Sequence, residues 1–192
     1  MRTETFSAFS GHRQIAAGDL QSVALGIARA SKSGLEQIIV LSDLTGRPID
    51  LDLRGSETEI AARYQPSAAE PPAKPGRGRP KLGVVPREVT LLTGHWDWLA
   101  TQPGGASATL RKLVHQARRQ SGTADRRRAA QDAAYRIMMT LAGQLPDFEE
   151  ALRAFYADDA ERFQQLTQTW PAELRDHIRE RVAAVWMDLD PD

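Results

Sequence analysis

The ionisable side chains that could do chemistry are most concentrated in the middle of the chain, where they are basic. Residues 71–128 contain 12 basic and 3 acidic residues, whereas residues 1–70 have a net charge of −2 and residues 129–192 a net charge of −7. The formal net charge of zero over 192 residues therefore conceals a strong segregation. A basic segment between two acidic ones is typical of a protein that binds a polyanion. The alternative is that these segments neutralise each other within one fold.

The basic segment begins in a linker that resembles a DNA minor-groove peptide. Residues 65–80 contain five prolines and two glycines, so we predict a linker over residues 65–83 that does not order itself. Its end resembles an AT-hook, which lies in the minor groove of A·T-rich DNA, and the matching residues are Arg77, Gly78, Arg79, Pro80 and Lys81. Arginines can follow this narrow, negative groove, and glycine avoids a clash with its floor. A soluble basic linker without a ligand is the alternative.

Residues 84–121 are predicted to form one strand followed by two helices. Residues 87–92 alternate in polarity, Thr93 is a candidate helix cap, residues 103–105 form a break, and Ser107 is predicted to cap the second helix. This order resembles the ribbon-helix-helix family of DNA-binding proteins. In that family two chains pair their strands into a ribbon that enters the major groove, and the start of the second helix contacts phosphate.

The ribbon-helix-helix resemblance implies a homodimer with DNA as its partner. With Val89 and Leu91 in the core, the groove-facing strand residues would be Glu88, Thr90 and Leu92. Neither a glutamate nor a leucine is the basic or polar reader that the family pattern leads one to expect, and a shift of one residue would exchange the strand faces. The candidate phosphate ligands are the polar and basic side chains that follow, namely Ser107, Thr109, Arg111, Lys112, Arg118, Arg119, Arg126, Arg127 and Arg128.

The two flanking segments predict an α+β protein. Residues 1–64 are expected to form a β-β-α-β-β-α module, with strands near 3–8, 13–17, 37–41 and 49–53 and with Asp19 and Ser56 as helix caps. Residues 122–192 are expected to form an acidic helical bundle. Its first helix should run over residues 125–145, and later helices should start at Pro146, at Asp158 or Asp159, and at Pro171.

No set of residues predicts catalysis. The chain has no cysteine, and His95 and Asp97 are two residues apart, so they face different sides of a helix. Trp96 and Trp98 are interpreted as core or dimer-interface residues, and His177 as a surface residue paired with neighbouring acids. Without a nucleophile–base pair or a phosphate loop, we predict no catalytic residue and no cofactor.

A divalent cation could be proposed for Asp43, Asp50 and Asp52. We interpret these carboxylates instead as the charged face of an edge strand, and we predict no metal. No stretch of about 18 apolar residues is present, and no signal peptide is recognised at the start. We therefore expect a soluble cytoplasmic protein without a membrane partner.

Over nearly its whole length, the sequence also resembles an uncharacterised bacterial family, domain of unknown function 2239. The stretches that show it are Asp50–Gly55, Gly78–Gly83, Arg87–Leu92, His95–Leu99 and Gln102–Gly105. The resemblance implies a bacterial protein but no activity or substrate. The leading hypothesis is a DNA-binding, regulator-like protein. The alternative is a protein-interaction module whose basic centre docks on its acidic helical tail or on a partner protein.

Overall fold

The computed structural model describes residues 4–31, 37–65 and 85–187. These residues form three strands and seven helices, which confirms the predicted α+β class. In chain order they are β1 (Phe6–Ser10), β2 (Arg13–Gly18), α1 (Leu20–Ser31), β3 (Ile38–Ser42), α2 (Glu57–Arg63), α3 (Thr93–Ala100), α4 (Gly105–Ala142), α5 (Phe148–Tyr156), α6 (Ala160–Leu166) and α7 (Ala172–Met187). The chain divides into two compact units, one of residues 1–66 with 123–192 and the other of residues 67–122.

The sheet is antiparallel in the order β2-β1-β3, and its central strand is buried on both faces. Because side chains alternate along a strand, Phe6 and Ala8 of β1 pack with α1 residues in one apolar cluster. Phe9, on the opposite face, belongs to a second cluster that is formed mainly by the helical bundle. This two-sided burial explains why β1 has a phenylalanine on each face, Phe6 on one and Phe9 on the other, and why Ser7 is buried as well.

The N-terminal module and the C-terminal helices share this second cluster and therefore form one unit. Leu41 of β3 lies in it together with Ile137 of α4 and Ile178 of α7. Polar contacts add to the junction, since the Gln14 amide donates to Glu173 at 2.6 Å and Arg136 donates to the Thr45 carbonyl at 2.9 Å. The two outer segments of the sequence are thus physically continuous with each other.

The expected fourth strand over residues 49–53 is wrong. Pairing with β3 is limited to a bridge between Leu41 and Pro48 and a hydrogen bond from the Ile49 amide to the Val40 carbonyl. Farther on, the Asp52 backbone bonds to side chains of α2 and its C-cap. The Asp52 amide donates to the Tyr64 hydroxyl, and the Asp52 carbonyl accepts from Arg63, at 2.6 Å each. The apolar alternation is real, since Leu51 and Leu53 pack against the α1 cluster, but α2 replaces the neighbouring strand.

Several helix starts agree with the sequence and others do not. Ser56 forms a complete capping box with Glu59, and the carboxylates of Asp19 and Asp159 accept amides at the starts of α1 and α6. Pro146 is not the first residue of a helix, because α5 begins at Phe148 and the Pro146 carbonyl accepts the Trp170 indole N–H at 2.8 Å. By contrast, α7 begins directly after Pro171.

One helix replaces two that were expected around residues 107–120 and 125–145. Helix α4 is continuous over 38 residues and passes through Ser121, Gly122 and Thr123 without a break. A single glycine costs a helix only about 1 kcal/mol relative to alanine, and no proline interrupts this stretch. Among the described residues, no helix has both the length and the apolar composition that crossing a membrane requires.

Candidate nucleic-acid interface

The described part of the second unit is a hairpin of α3 and the first half of α4. The turn between them needs glycine, because Gly104 and Gly105 have φ values of +84° and +74°, which other residues rarely adopt. The Gly105 amide donates to the Gln102 carbonyl at 3.0 Å and closes the turn. The predicted helix–turn–helix order is therefore confirmed, although the helices begin earlier than expected.

Neither predicted cap residue in this hairpin occupies a cap position. Helix α3 has Leu92 as its N-cap and Thr93 as its first residue. Helix α4 begins at Gly105, so Ser107 lies inside its first turn. Ser107 is exposed and Thr109 is half-buried. Both are thus near the amide-rich start of α4, where an anion is favoured.

Basic side chains share one face of α4. With about 100° of rotation per residue, six positions fall within an arc of about 120°, and they are Arg111, Lys112, His115, Arg118, Arg119 and Arg126. All six are exposed, and from the first to the last the helix rises by about 22 Å. We call this set the basic face. Four of its permanently charged side chains lie in two adjacent pairs, Arg111 with Lys112 and Arg118 with Arg119, so positive charge is concentrated along this face.

Within the described residues, four cations of the basic face have no ion pair, and they are Arg111, Lys112, Arg118 and Arg119. The three arginines that follow differ from them. Arg126 donates to the Thr123 hydroxyl at 3.1 Å, and Arg128 lies 3.7 Å from Asp125. Arg127 points away from the basic face and donates to both oxygens of Asp158, at 2.6 and 2.8 Å. A phosphate would therefore have to compete with the Asp158 carboxylate for Arg127, which was predicted as a phosphate ligand.

The opposite face of the same helical half is apolar, and it is exposed except at the half-buried Leu110. It contains Leu110, Leu113, Val114 and Ala117, and the side chain of Val114 remains 57% exposed. In α3 only Leu99 is buried, while Trp96 and Trp98 are 40% and 50% exposed. The interpretation of the two tryptophans as core residues therefore does not hold within the described chain. The interface interpretation stays a prediction.

Residues 85–92 form no strand within the described chain, and all of them except the half-buried Leu91 are exposed. Val89, expected in the core, is more than half exposed, and the groove-facing candidates Glu88, Thr90 and Leu92 are exposed as well. The strand predicted over residues 87–92 is therefore absent from the described residues. The AT-hook residues Arg77 to Lys81 lie outside the described residues.

Two of the three carboxylates that could be proposed as cation ligands, Asp43 and Asp52, have separate partners. Arg54 donates two hydrogen bonds to the Asp52 carboxylate at 2.9 Å, and these hold its pKa well below the usual range. Asp43 instead accepts the hydroxyls of Thr5 and Ser7 at 2.7 and 2.9 Å. Asp43 and Asp52 thus accept hydrogen bonds from different protein donors.

His177 is buried, contrary to its interpretation as a surface residue. Its ring packs against Phe9 at 5.1 Å between centroids, and its Nε2 lies 3.8 Å from Asp43. The partner is 134 positions away in the sequence, so local spacing gave no signal. The only sequence clue is its place in the apolar stripe of α7, three residues after Leu174 and one before Ile178.

The fold and this surface define an α+β protein with a second, basic helical unit whose two faces differ sharply in polarity. The chain belongs to a family of uncharacterised proteins conserved in bacteria, the domain of unknown function 2239, whose model matches residues 5–182. This match spans both units and confirms the family resemblance. Neither a curated protein nor a solved structure matches the chain.

Proposed function

We propose that this protein is a DNA-binding, regulator-like protein of the bacterial cytoplasm and that the basic face of α4 contacts the phosphate backbone. The supporting observation is the group of unpaired cations Arg111, Lys112, Arg118 and Arg119 on one exposed helical face. A polyanion would relieve the mutual repulsion among them. The release of condensed counterions when phosphates are neutralised would add to the binding free energy.

The dimensions of the basic face fit a DNA backbone. A rise of about 22 Å corresponds to about six base pairs at 3.4 Å each. The amides at the start of α4, near Ser107 and Thr109, supply further donors to phosphate. Phosphate contacts position a protein without reading sequence, so this surface accounts for affinity rather than for the choice of an operator.

A homodimer and the linker peptide complete the proposal. The exposed apolar face of α4 and the exposed tryptophans of α3 would be covered by a second copy, with residues 87–92 of the two chains paired as a ribbon. Arg77 and Arg79 would then enter the minor groove beside the dimer. A bound dimer would make twice as many phosphate contacts as a bound monomer.

Fluorescence anisotropy with a labelled A·T-rich duplex tests the DNA contact. Each copy has five permanently charged groups on the basic face, so log K should fall with log salt at a slope of about −4.5 per copy between 50 and 200 mM salt. In the triple variant Arg111→Gln, Arg118→Gln, Arg119→Gln, three such contacts are lost. We expect binding at least about tenfold weaker at low salt and a slope shallower by about 2.7.

A matched control removes the same charge elsewhere. Arg29, Arg153 and Arg162 lie on exposed positions of α1, α5 and α6, and their triple substitution by glutamine should leave affinity and slope nearly unchanged. Equal loss in both triple variants would mean that only net charge matters. The alternative function predicts a different result. If the wild type and both variants fail to bind DNA, and only the variant with Arg111, Arg118 and Arg119 replaced loses stability, the basic centre docks on the acidic tail.

A further inference from the structure

Asp43 follows β3 directly and lies in a buried contact between the sheet and α7. Its side chain is 7% exposed. One carboxylate oxygen accepts the Ser7 hydroxyl and is 3.8 Å from His177 Nε2, while the other accepts the Thr5 hydroxyl and is 3.9 Å from an Arg181 nitrogen. A carboxylate in this position is shared between two potential cations of one helix.

His177 is almost completely enclosed in this contact. Its side chain is 5% exposed, and the Nε2 atom has no hydrogen-bond partner among the described residues. The charged groups that act on it are Asp43 from the end of β3 and Arg181 and Glu180 on its own helix, whereas β1 presents Phe9 and the uncharged Ser7. Burial lowers the pKa of His177, and Arg181 lowers it further, against the opposing attraction of Asp43 and Glu180.

The loop that begins with Asp43 also holds α4. Gly46 approaches α4 so closely that a Cβ there would lie 2.3 Å from the Ala133 carbonyl oxygen. The Thr45 carbonyl accepts Arg136 from the same helix. Residues 43–46 thus contact α7 through Asp43 and α4 through Thr45 and Gly46, and His177 lies at this junction.

We propose that His177 is a proton sensor in the fold, whose protonation places a positive charge in an enclosed position without a hydrogen-bond partner and so weakens the junction of the sheet with the helical bundle. An imidazolium there would be a second cation beside Arg181, enclosed by Phe9 and away from water. Burying a charge without full hydrogen bonding is costly. The proposal is independent of the DNA interface.

The direction of the pH effect follows from linkage. The unfolded chain protonates His177 near pH 6.5, while the folded chain does so only at lower pH. Between these two values the unfolded state binds more protons, so stability rises with pH there. The contribution of neutral His177 is fully present above pH 6.5 and is lost as the pH falls toward the folded pKa.

Histidine ring signals in a pH titration by NMR measure this directly in the full chain. The three other histidines, His12, His95 and His115, are exposed. We expect the His177 midpoint below 6.5, the ordinary value for a histidine side chain. Asp43→Asn should lower it further because the attraction is lost, and Arg181→Gln should raise it because a repulsion is lost. These opposite shifts would show that Asp43 and Arg181 both act on the His177 ring in the folded protein.

Unfolding in urea from pH 7.5 to pH 5 tests the consequence for stability. The wild type should lose stability below pH 6.5, and His177→Phe should lack that component, while the control His12→Gln should keep it. A His177 midpoint at or above 6.5 would overturn the proposal. This result is obtained with the wild-type protein and does not depend on whether a variant folds. An unchanged pH slope in a folded His177→Phe protein would also overturn it.

Discussion

At the scale of single residues, Gly46 sets how closely the sheet approaches α4. Its φ of +66° is costly for any residue with a Cβ, and the Ala133 carbonyl occupies the space where that atom would lie. The left-handed conformation alone costs about 1–2 kcal/mol. The steric conflict is with backbone, which cannot rotate away, so the two effects add.

Gly46→Ala should therefore destabilise the protein by about 3 kcal/mol or more. Gly11→Ala is the matched control, because Gly11 has a similar φ of +56° but nothing within 4 Å of the added Cβ, and it should cost only about 1–2 kcal/mol. Urea unfolding at pH 7.5 gives both values. Equal costs at the two positions would show that residues 43–46 do not press against α4 in solution.

Residue-level inference succeeded where the cause is local and failed where it is not. The capping box of Ser56 follows from a spacing of three residues. The burial of His177 depends on Asp43 and Phe9, which only the tertiary fold brings near. For the same reason the ion pair between Arg127 and Asp158 could not be predicted from the sequence. The run of three consecutive arginines does not indicate which of them has an acidic partner.

At the scale of elements, helix α4 joins two patterns that the sequence presents as separate. Up to Ala117 its apolar and basic residues lie on opposite faces, and from Ala133 onward its apolar residues are buried in the bundle. Ser121 and Gly122 favoured a break, since both are weaker helix formers than alanine. Their combined penalty is small compared with the stabilisation from the fully hydrogen-bonded turns on either side.

A proline scan distinguishes one helix from two. Gly122→Ala should raise stability by up to about 1 kcal/mol, because alanine is the better helix former. Gly122→Pro should lower it by about 3 kcal/mol or more and reduce the helical circular dichroism signal. Ala106→Pro is the control, since the first turn of α4 has no helical hydrogen bond to lose. A harmless Gly122→Pro would mean a loop at residues 121–123.

At the scale of the whole molecule, the two units differ in how complete they are. The unit of residues 1–66 and 123–192 buries two apolar clusters and satisfies its sheet on both faces. In the described part of the other unit, Leu99 is the one large side chain that is buried. In this unit of residues 67–122, Trp98, Leu113 and Val114 are exposed apolar side chains that the proposed dimer would cover.

The dimer proposal therefore has a sharp test at Leu113 and Val114, the exposed apolar residues of α4 opposite its basic face. The double substitution Leu113→Glu, Val114→Glu places two charges in the proposed interface, where each unpaired buried charge is strongly unfavourable. Sedimentation equilibrium should show a dimer for the wild type and a monomer for the variant. DNA binding should weaken as well, because a monomer has half the phosphate contacts.

Met139→Glu is the control for that experiment, because Met139 is similarly exposed but lies on α4 within the bundle. It should remain a dimer with unchanged DNA affinity. A monomeric wild type at about 100 μM would contradict self-pairing, since specific interfaces of standard size hold far more tightly. If the wild type is monomeric yet binds DNA with the expected salt slope, the basic face acts alone and the apolar face of α4 serves a different partner.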